Sequence, residues 1–293
     1  MAARTAEQKQ EIIDRAASQG RKLRQDEKAK LNGPPIMLAH TWNPTIDPTG
    51  WWMSEKLDGV RAFWDGATRQ FISRQGNIYP APEVFTKELP NTTLDGELWI
   101  GRKKFTETIS VVKTTPDSTK YDPRRWDEIR YRVFDAPHFL GDFEHRISSV
   151  TLTAVSSPLP QVYCLGVEHL RQYLASVEAL GGEGVMLRRA GSAYDIGRSH
   201  DLLKVKTFHD AEAKVTGYTE GKGRNKGKIG ALMCRMIGSG VNFEVGAGLL
   251  DAHRELTTGL ATCLGNTITV RYQELSKDGV PRFPTFVAVR DYE

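Results

Sequence analysis

The chain has 293 residues, of which 39% are apolar, and its formal net charge at pH 7 is +4. This length and apolar content suffice for two domains with buried cores. No apolar run approaches the roughly 18 residues that a transmembrane helix needs. The first ten residues, MAARTAEQKQ, lack the apolar core of a signal peptide. We therefore expect a cytoplasmic protein without a membrane-spanning segment.

The three cysteines and seven histidines are scattered along the sequence. Cys164, Cys234 and Cys263 have no CxxC spacing, so neither a disulfide framework nor a zinc ribbon is predicted. The histidines have no metal-ligand spacing such as HExxH. Any bound metal is therefore expected to be a hard ion with oxygen ligands.

Positive charge is concentrated in two parts of the sequence. Residues 1–31 contain eight basic and five acidic side chains, and residues 202–235 contain eight basic and three acidic ones. The rest of the chain is nearly neutral. Such concentration is typical of a surface that faces a polyanion, although an ordinary solvated face explains it equally well.

The predicted elements fall into three blocks. Residues 5–31 are rich in helix formers and are followed by Gly33-Pro34-Pro35, so residues 1–35 are predicted to form an N-terminal helical extension. Residues 36–208 mix short β-branched and aromatic segments with helical stretches, without regular βαβ alternation, which favours an α+β domain. Residues 209–293 contain five predicted strands and an interposed helix, a pattern typical of a small oligonucleotide-binding (OB) barrel.

The segment SEKLDGVRAFWDG, which starts at residue 54, combines a lysine with a turn signal. Its Asp58-Gly59 pair lies between residues of strand-forming type, and Asp-Gly strongly favours a tight β-hairpin turn. Such a turn would hold Lys56 and Arg61 close together in space. Taken alone, however, Lys56 is explained as well by an ordinary surface lysine as by a nucleophile.

Charged residues recur on the predicted strands of the α+β domain. Asp95 and Glu97 are two residues apart, as are Lys204 and Lys206, so each pair projects from one face of its strand. Each motif has an ordinary structural explanation when it is considered singly. Together they supply cations for phosphate oxygens, acids for a metal ion and, with Phe134, an aromatic ring for a base. These are the groups that nucleotidyl transfer requires.

Six motifs occur in the order that is found in the covalent nucleotidyltransferases, and residues 36–293 resemble the ATP-dependent DNA ligases in particular. The motifs are K-x-D-G-x-R (Lys56, Asp58, Gly59, Arg61), S-R-x-G (Ser73, Arg74, Gly76), D-G-E (Asp95, Gly96, Glu97), F-D (Phe134, Asp135), E-G-V-M (Glu183 to Met186) and L-L-K-V-K. The sequence is most similar to the minimal ligases of bacteria and viruses. This resemblance implies an α+β nucleotidyltransferase domain, with an ATP-grasp-like adenylation fold, followed by the OB barrel.

The resemblance also implies the reaction. Lys56 attacks the α-phosphorus of ATP to give a lysyl-adenylate, and the adenylate moves to the 5′-phosphate of nicked double-stranded DNA. The 3′-hydroxyl then displaces AMP and the nick is sealed. Mg²⁺ is the implied metal ion, with Mn²⁺ as a substitute.

Roles for individual residues follow from the same resemblance. Residues implied to contact ATP or to act in catalysis are Lys56, Asp58, Arg61, Lys204 and Lys206 near the phosphates, and Phe134 and Met186 on either side of the adenine. Glu97 and Glu183 are implied to hold the metal ion, and Arg74 the 5′-phosphate of the nick. Many members have a glutamate two residues before the lysine, where this chain has Ser54. Ser54 and the adjacent Glu55 are therefore the candidate nucleotide contacts at this position.

The segment EGKGRNKGKIG is the candidate DNA-binding loop, since it places four basic residues at alternate positions among glycines: Lys222, Arg224, Lys226 and Lys228. The competing candidate is the basic N-terminal extension. The clamp domain and the R-x-D-K motif of larger ligases have no counterpart here. Arg282 and Arg290 are the candidates to replace that motif.

Two other functions share some of these features. An RNA ligase or a capping guanylyltransferase would carry the same K-x-D-G motif, and a non-catalytic nucleic-acid-binding module would use only the barrel. A ligase that depends on NAD⁺ is disfavoured because its four-cysteine zinc module is missing. We expect a monomer that needs no obligate protein partner. Repair, replication and viral genome maintenance are the candidate settings.

Overall fold

The computed structural model describes residues 6–23, 27, 31–276 and 278–290. The chain forms two compact units, Met1–Val205 and Lys206–Glu293, which are called the first and the second unit below. The division lies three residues before the predicted boundary at residue 208. Each unit has its own hydrophobic core.

The predicted N-terminal extension begins with helix α1, Ala6–Ser18. Two i, i+4 side-chain contacts stabilise its exposed surface, one of which is the Arg15–Glu11 ion pair at 2.9 Å. The sequence predicts a weak apolar stripe of Ile12, Ile13, Ala16 and Leu23 here, of which Ala16 is buried and Ile13 is 41% exposed. Residues 24–26 and 28–30 of the predicted helical stretch lie outside the described residues.

One sheet of the first unit has six strands in the order β5-β4-β3-β6-β7-β8. All its pairs are antiparallel except β7 with β8. Aromatic rings fill the core on this sheet, and Trp64, Phe71 and Tyr131 are fully buried. The strands are β3 Val60–Asp65, β4 Gln70–Ser73, β5 Ile78–Tyr79, β6 Leu94–Trp99, β7 Arg130–Asp135 and β8 Ser156–Pro158.

The other sheet of the first unit has five strands in the order β1-β11-β10-β2-β9. Strands β1 and β11 run parallel, and the remaining pairs are antiparallel. Met53 and Leu187 are fully buried in the core of this sheet together with Leu170 of the neighbouring helix. The strands are β1 Met37–Thr41, β2 Trp52–Glu55, β9 Val162–Tyr163, β10 Val185–Arg188 and β11 Gly197–Val205.

Short helices connect these strands: α2 Glu83–Thr86, α3 Phe105–Val112, a 3₁₀ helix Pro123–Glu128, α4 Phe143–Ser148 and α5 Val167–Ala179. The segments EVFTKEL, FTETISVVK and VEHLRQYLASVEALGGEG predict α2, α3 and α5, whereas α4 is not predicted from the sequence. The Asp142 carboxylate accepts a hydrogen bond from the His145 N–H at 2.9 Å and so caps α4. Among the described residues, no helix has the length and apolar character to cross a membrane.

The predicted hairpin at Asp58-Gly59 is wrong. Strand β2 pairs with β9 and β10, whereas β3 pairs with β4 and β6 of the other sheet. Residues 56–59 therefore connect the two sheets. The glycine is needed because of close packing, since a Cβ at Gly59 would lie 2.6 Å from the Leu98 carbonyl oxygen.

The second unit contains a five-stranded antiparallel sheet in the order β14-β13-β12-β15-β18 and a separate two-stranded pair, β16 with β17. A further isolated bridge joins Ala247 to Thr285. Two short helices lie between β14 and β15, where the sequence predicts a single helical insert. The elements are β12 His209–Glu220, β13 Ile229–Met236, β14 Asn242–Val245, α6 Asp251–Arg254, α7 Leu256–Cys263, β15 Thr267–Tyr272, β16 Glu274–Leu275, β17 Pro281–Arg282 and β18 Thr285–Arg290.

Candidate active site

A cavity of about 320 Å³ in the first unit brings most of the predicted site residues together. Nine of them line it: Ser54, Glu55, Lys56, Arg61, Arg74, Glu97, Phe134, Met186 and Lys204. Six basic and two acidic side chains are among the lining residues. The cavity therefore has an excess of positive charge, which suits an anionic ligand.

Lys56 follows directly after β2, and its backbone N–H donates to the Gly184 carbonyl at 2.8 Å. This backbone contact joins the K-x-D-G segment to the E-G-V-M segment. The Lys56 ammonium donates a hydrogen bond to the Glu183 carboxylate. Both side chains are largely shielded from solvent, with 26% and 17% exposed. The lysine is thus held in one orientation at the wall of the cavity.

Arg61 is fixed beneath the same cavity by the buried Asp95. Its Nε donates to Asp95 Oδ1 at 3.0 Å and its Nη2 to Oδ2 at 2.6 Å, a bidentate pair. Nη2 also donates to the Met37 carbonyl at 2.8 Å. The guanidinium carbon lies 5.2 Å from the centre of the Phe134 ring. One side chain of the D-G-E motif therefore positions a cation of the K-x-D-G-x-R motif.

Glu97 of β6 lines the same cavity and pairs with Arg61 on the neighbouring strand β3. Gly96 beside it has no room for a side chain, because a Cβ there would lie 2.6 Å from the Arg132 carbonyl. Burial raises the pKa of Glu97 to about 8, although the nearby charges of Lys56 and Arg61 act to lower it. Glu97 of the ligand-free protein is therefore mostly protonated at neutral pH.

This raised pKa predicts a pH-dependent stability. Glu97 keeps its proton up to about pH 8 in the folded protein, whereas the unfolded chain releases it near pH 4.5. The free energy of unfolding therefore decreases as the pH rises from 4.5 to about 8. In this range each rise of one pH unit lowers the free energy of unfolding by at most about 1.4 kcal/mol. Denaturant titrations of the ligand-free protein at pH 6, 7 and 8 should show this loss, and Glu97→Gln should reduce it.

Glu168→Gln provides the control for that measurement, since its side chain is exposed on α5. It should keep the wild-type dependence on pH. Equal slopes for the wild type and Glu97→Gln would show that Glu97 has no raised pKa in the folded state.

The part of the cavity beside Phe134 and Met186 has the character of a base pocket. Met186 of β10 pairs with Ser54 on the neighbouring strand β2 and with Lys204 on the neighbouring strand β11. Ser54 is buried, while Glu55 accepts two hydrogen bonds from Arg102, at 2.8 and 2.7 Å. Both carboxylate oxygens of Glu55 therefore accept hydrogen bonds from Arg102.

Some predicted residues lie elsewhere. Asp58 is in the connection between the sheets and does not line the cavity. Lys206 belongs to the second unit, where its ammonium donates to Gln273 Oε1 at 2.9 Å. Of the candidates for the missing C-terminal motif, Arg282 donates to Glu274 at 2.6 Å and Arg290 to the Thr269 hydroxyl at 2.7 Å.

The candidate DNA-binding loop connects β12 and β13 and includes a 3₁₀ turn at Gly223–Asn225. Three of its four basic side chains, Lys222, Arg224 and Lys226, are exposed. Lys228 instead forms an ion pair with Glu255. The loop therefore offers three exposed cations to a polyanion.

Sequence reasoning overlooked several residues of the site. Arg188 lines the cavity and is buried, with its guanidinium donating to Asp135 at 2.8 Å. Arg146 donates to the same carboxylate at 2.7 Å. Strand alternation contained a signal for Arg188, because it lies two residues after Met186 on one strand face. Arg198, Gln161 and Phe143 also line the cavity, and no local pattern marks them.

A second, larger cavity of about 950 Å³ adjoins this site in the first unit. Arg61 and Arg74 line both cavities. The remaining lining of the larger one includes Phe105, Lys113 and Thr115. Arg74 therefore stands where the two cavities meet.

The acidic groups of the site fit a hard divalent ion that is bound together with phosphates. Within the described part of the chain, no cluster of three or more His, Cys, Asp or Glu side chains could hold a metal alone. Glu97 and Glu183 are close enough for the charge of Glu183 to affect the Glu97 pKa. Mg²⁺ is commonly bound by one or two carboxylates, water and substrate phosphates, which suits this pair.

Comparison with known proteins identifies the family. A DNA ligase of Haemophilus influenzae is 35% identical over 257 residues, which are 86% of this chain and 90% of that protein. Residues 220–290 match the DNA ligase OB-like domain. A solved structure of a Lig E DNA ligase, with a minimal DNA-binding scaffold, matches at 35% identity and a TM-score of 0.78, covering 88% of this chain and 99% of the other. The chain therefore belongs to the DNA ligase family.

A second solved structure extends the likeness. The Chlorella virus DNA ligase-adenylate is 25% identical with a TM-score of 0.50, covering 88% of this chain and 99% of the other. The predicted fold, an α+β nucleotidyltransferase domain followed by an OB domain, is confirmed. So is the prediction that the protein is an enzyme of the DNA ligase class.

Proposed function

We propose that this protein seals nicks in duplex DNA with ATP, through a covalent AMP on Lys56. The observation that supports this most directly is the placement of Lys56 in a cavity with an aromatic ring, a thioether and an excess of cations. The Chlorella virus relative is a ligase-adenylate, which supports the covalent intermediate.

In the first step Lys56 attacks as a neutral amine, because an ammonium has no lone pair. The Glu183 carboxylate already accepts a hydrogen bond from this ammonium and is positioned to take its proton. The lysine nitrogen then bonds to the α-phosphorus of ATP. The bond from this phosphorus to the bridging oxygen breaks, and its electron pair leaves with pyrophosphate.

Cations around Lys56 counter the charge on the phosphates. Arg61 is restrained by Asp95, and Lys204 reaches the cavity from β11. Such prearranged charges stabilise a transferring phosphoryl group without further reorganisation. Glu97 and Glu183 would hold Mg²⁺, which when bound supplies further charge neutralisation at the phosphate oxygens. Phe134 and Met186 would enclose the adenine.

In the later steps the DNA end meets the adenylate. The cavity around Lys56 is called the nucleotide cavity below. Arg74 lines both this cavity and the larger one, which suits it to hold the 5′-phosphate of a nick. An oxygen of this phosphate attacks the phosphorus of AMP and displaces the Lys56 nitrogen. The 3′-hydroxyl then attacks the DNA phosphate, AMP leaves, and the strand is continuous.

A nick-sealing assay tests this function. The protein with ATP and Mg²⁺ should convert a labelled, nicked duplex into a continuous strand, and denaturing electrophoresis measures the product. Parallel reactions with GTP, and with nicked RNA, distinguish a DNA ligase from a capping enzyme or an RNA ligase. Binding of nicked DNA without sealing, under conditions in which a control ligase is active, would favour a non-catalytic module instead.

The exposed loop cations predict how DNA is held. Changing Lys222, Arg224 and Lys226 to alanine should weaken binding to nicked duplex. Each phosphate contact contributes roughly 0.9 to the slope of log affinity against log salt, so the slope should fall by up to about 2.7. Fluorescence anisotropy at several salt concentrations measures this change. Self-adenylation by ATP should stay close to that of the wild type.

Two further variants make this test specific. Lys228→Ala alone should have a smaller effect, because this ammonium is paired with Glu255. Deleting residues 1–31 tests the competing basic segment. Loss of the salt slope in the deletion variant, with an unchanged slope in the triple variant, would place the DNA grip in the N-terminal extension.

A further inference from the structure

A closed ring of hydrogen bonds lies beneath the nucleotide cavity and connects Arg61 to Tyr194. The Tyr194 hydroxyl donates to Asp95 Oδ2 at 2.6 Å and accepts from the Met37 N–H at 3.1 Å. Asp95 in turn binds both Nε and Nη2 of Arg61. Nη2 also donates to the Met37 carbonyl, which closes the ring.

The ring is shielded from water, so its hydrogen bonds have no ready replacement. Asp95 and Met37 are fully buried and Tyr194 is 5% exposed. Burial raises the pKa of Tyr194 well above its ordinary value, with the Asp95 charge acting in the same direction. The hydroxyl therefore keeps its proton and remains a donor to Asp95. A buried network whose members are all satisfied restrains each of them to one geometry.

This geometry leaves one edge of Arg61 for the ligand. Nε and Nη2 face Asp95 and Met37, and none of the described residues accepts a hydrogen bond from Nη1. Arg61 also lines both the nucleotide cavity and the larger adjoining one. The guanidinium is rigid and planar, so fixing two of its nitrogens fixes the direction of the third.

We propose that Tyr194 is a positioning residue for Arg61, which it directs toward the nucleotide phosphates through Asp95 and the Met37 backbone. The proposal rests on the proposed function, in which Arg61 contacts the phosphates during adenylation. Tyr194 itself does not line the cavity and contacts no reacting group. It acts because its hydroxyl both donates and accepts within the ring, which a phenylalanine ring cannot do.

Tyr194→Phe is the direct test, since it removes only the hydroxyl and keeps the ring beside Arg146, whose guanidinium carbon lies 5.9 Å from the ring centre. The matched control is Tyr131→Phe. Tyr131 is also fully buried, and its hydroxyl donates to the Ala62 carbonyl at 2.9 Å and is not hydrogen-bonded to Asp95 or Arg61. Tyr194→Phe loses two buried hydrogen bonds and Tyr131→Phe loses one, so the change in unfolding midpoint is measured for both variants. Only one of them loses a member of the ring.

The rate of lysyl-AMP formation is measured in single turnover at several ATP concentrations. Tyr194→Phe should slow adenylation roughly tenfold. Tyr131→Phe should change it little, even where both variants lower the thermal unfolding midpoint equally. Asp95→Asn keeps the shape of its side chain and provides a second probe of the ring, should Tyr194→Phe fail to fold.

A double-mutant cycle separates positioning from general destabilisation. If Tyr194 acts through Arg61, then Tyr194→Phe should have no further effect on adenylation in an Arg61→Ala background. Equal losses in both backgrounds, or a wild-type rate for Tyr194→Phe and Asp95→Asn, would overturn the positioning role alone. A wild-type protein that forms no AMP adduct would overturn the proposed function as well.

Discussion

Lys56→Arg should abolish the covalent AMP adduct while the fold and its stability are retained. The guanidinium stays protonated and has no lone pair for attack on the α-phosphorus. It can still form an ion pair with Glu183, which the lysine contacts in the wild type. Denaturing electrophoresis after incubation with α-labelled ATP and Mg²⁺ measures the adduct, and circular dichroism during heating measures stability.

Lys56→Ala and Lys204→Ala complete this experiment. Lys56→Ala should also remain unlabelled, but it leaves Glu183 without the Lys56 ammonium, so it is the less conservative of the two changes. Lys204 lines the same cavity as Lys56. Its alanine variant should be labelled slowly and still reach a measurable adduct. Labelling of the Lys56→Arg protein at the wild-type rate would assign the nucleophile to another residue.

Much of the site could be predicted because its motifs are short and lie on strands. Lys56 follows β2 and Arg74 follows β4, and both line one cavity. Glu183 precedes β10 and contacts Lys56, but it does not itself line the cavity. Alternation along β6 places Asp95 and Glu97 on one face, but only Glu97 lines the cavity, while Asp95 is buried and binds Arg61. The roles of these residues in catalysis stay predictions until the variants are measured.

What the sequence could not show depends on contacts between distant segments. Asp-Gly is a sound hairpin signal, yet residues 56–59 connect two sheets because β3 finds its partners in β4 and β6. The ring that holds Arg61 joins residues 37, 61, 95 and 194, and such separation leaves no local pattern. Arg188 and Arg146 share the buried Asp135 for the same reason.

Glu183 is the carboxylate on which both the lysine and the metal ion are expected to depend. Glu183 contacts the Lys56 ammonium, and its charge acts on Glu97. Glu183 would thus both accept the proton of Lys56 and bind the metal ion. Removing either the metal ion or this carboxylate should therefore stop the first chemical step.

A chelator should stop adenylation completely, and excess Mg²⁺ should restore it. Glu183→Gln should slow adenylation by roughly 10²-fold or more, because the amide can neither accept the Lys56 proton nor neutralise a metal ion. Single-turnover labelling with α-labelled ATP at graded Mg²⁺ concentrations measures both effects. Glu168→Gln, which removes an exposed carboxylate on α5, should retain the wild-type rate. Adenylation that persists in chelator would rule out the metal ion, whereas loss in chelator with full activity of Glu183→Gln would assign metal binding to Glu97.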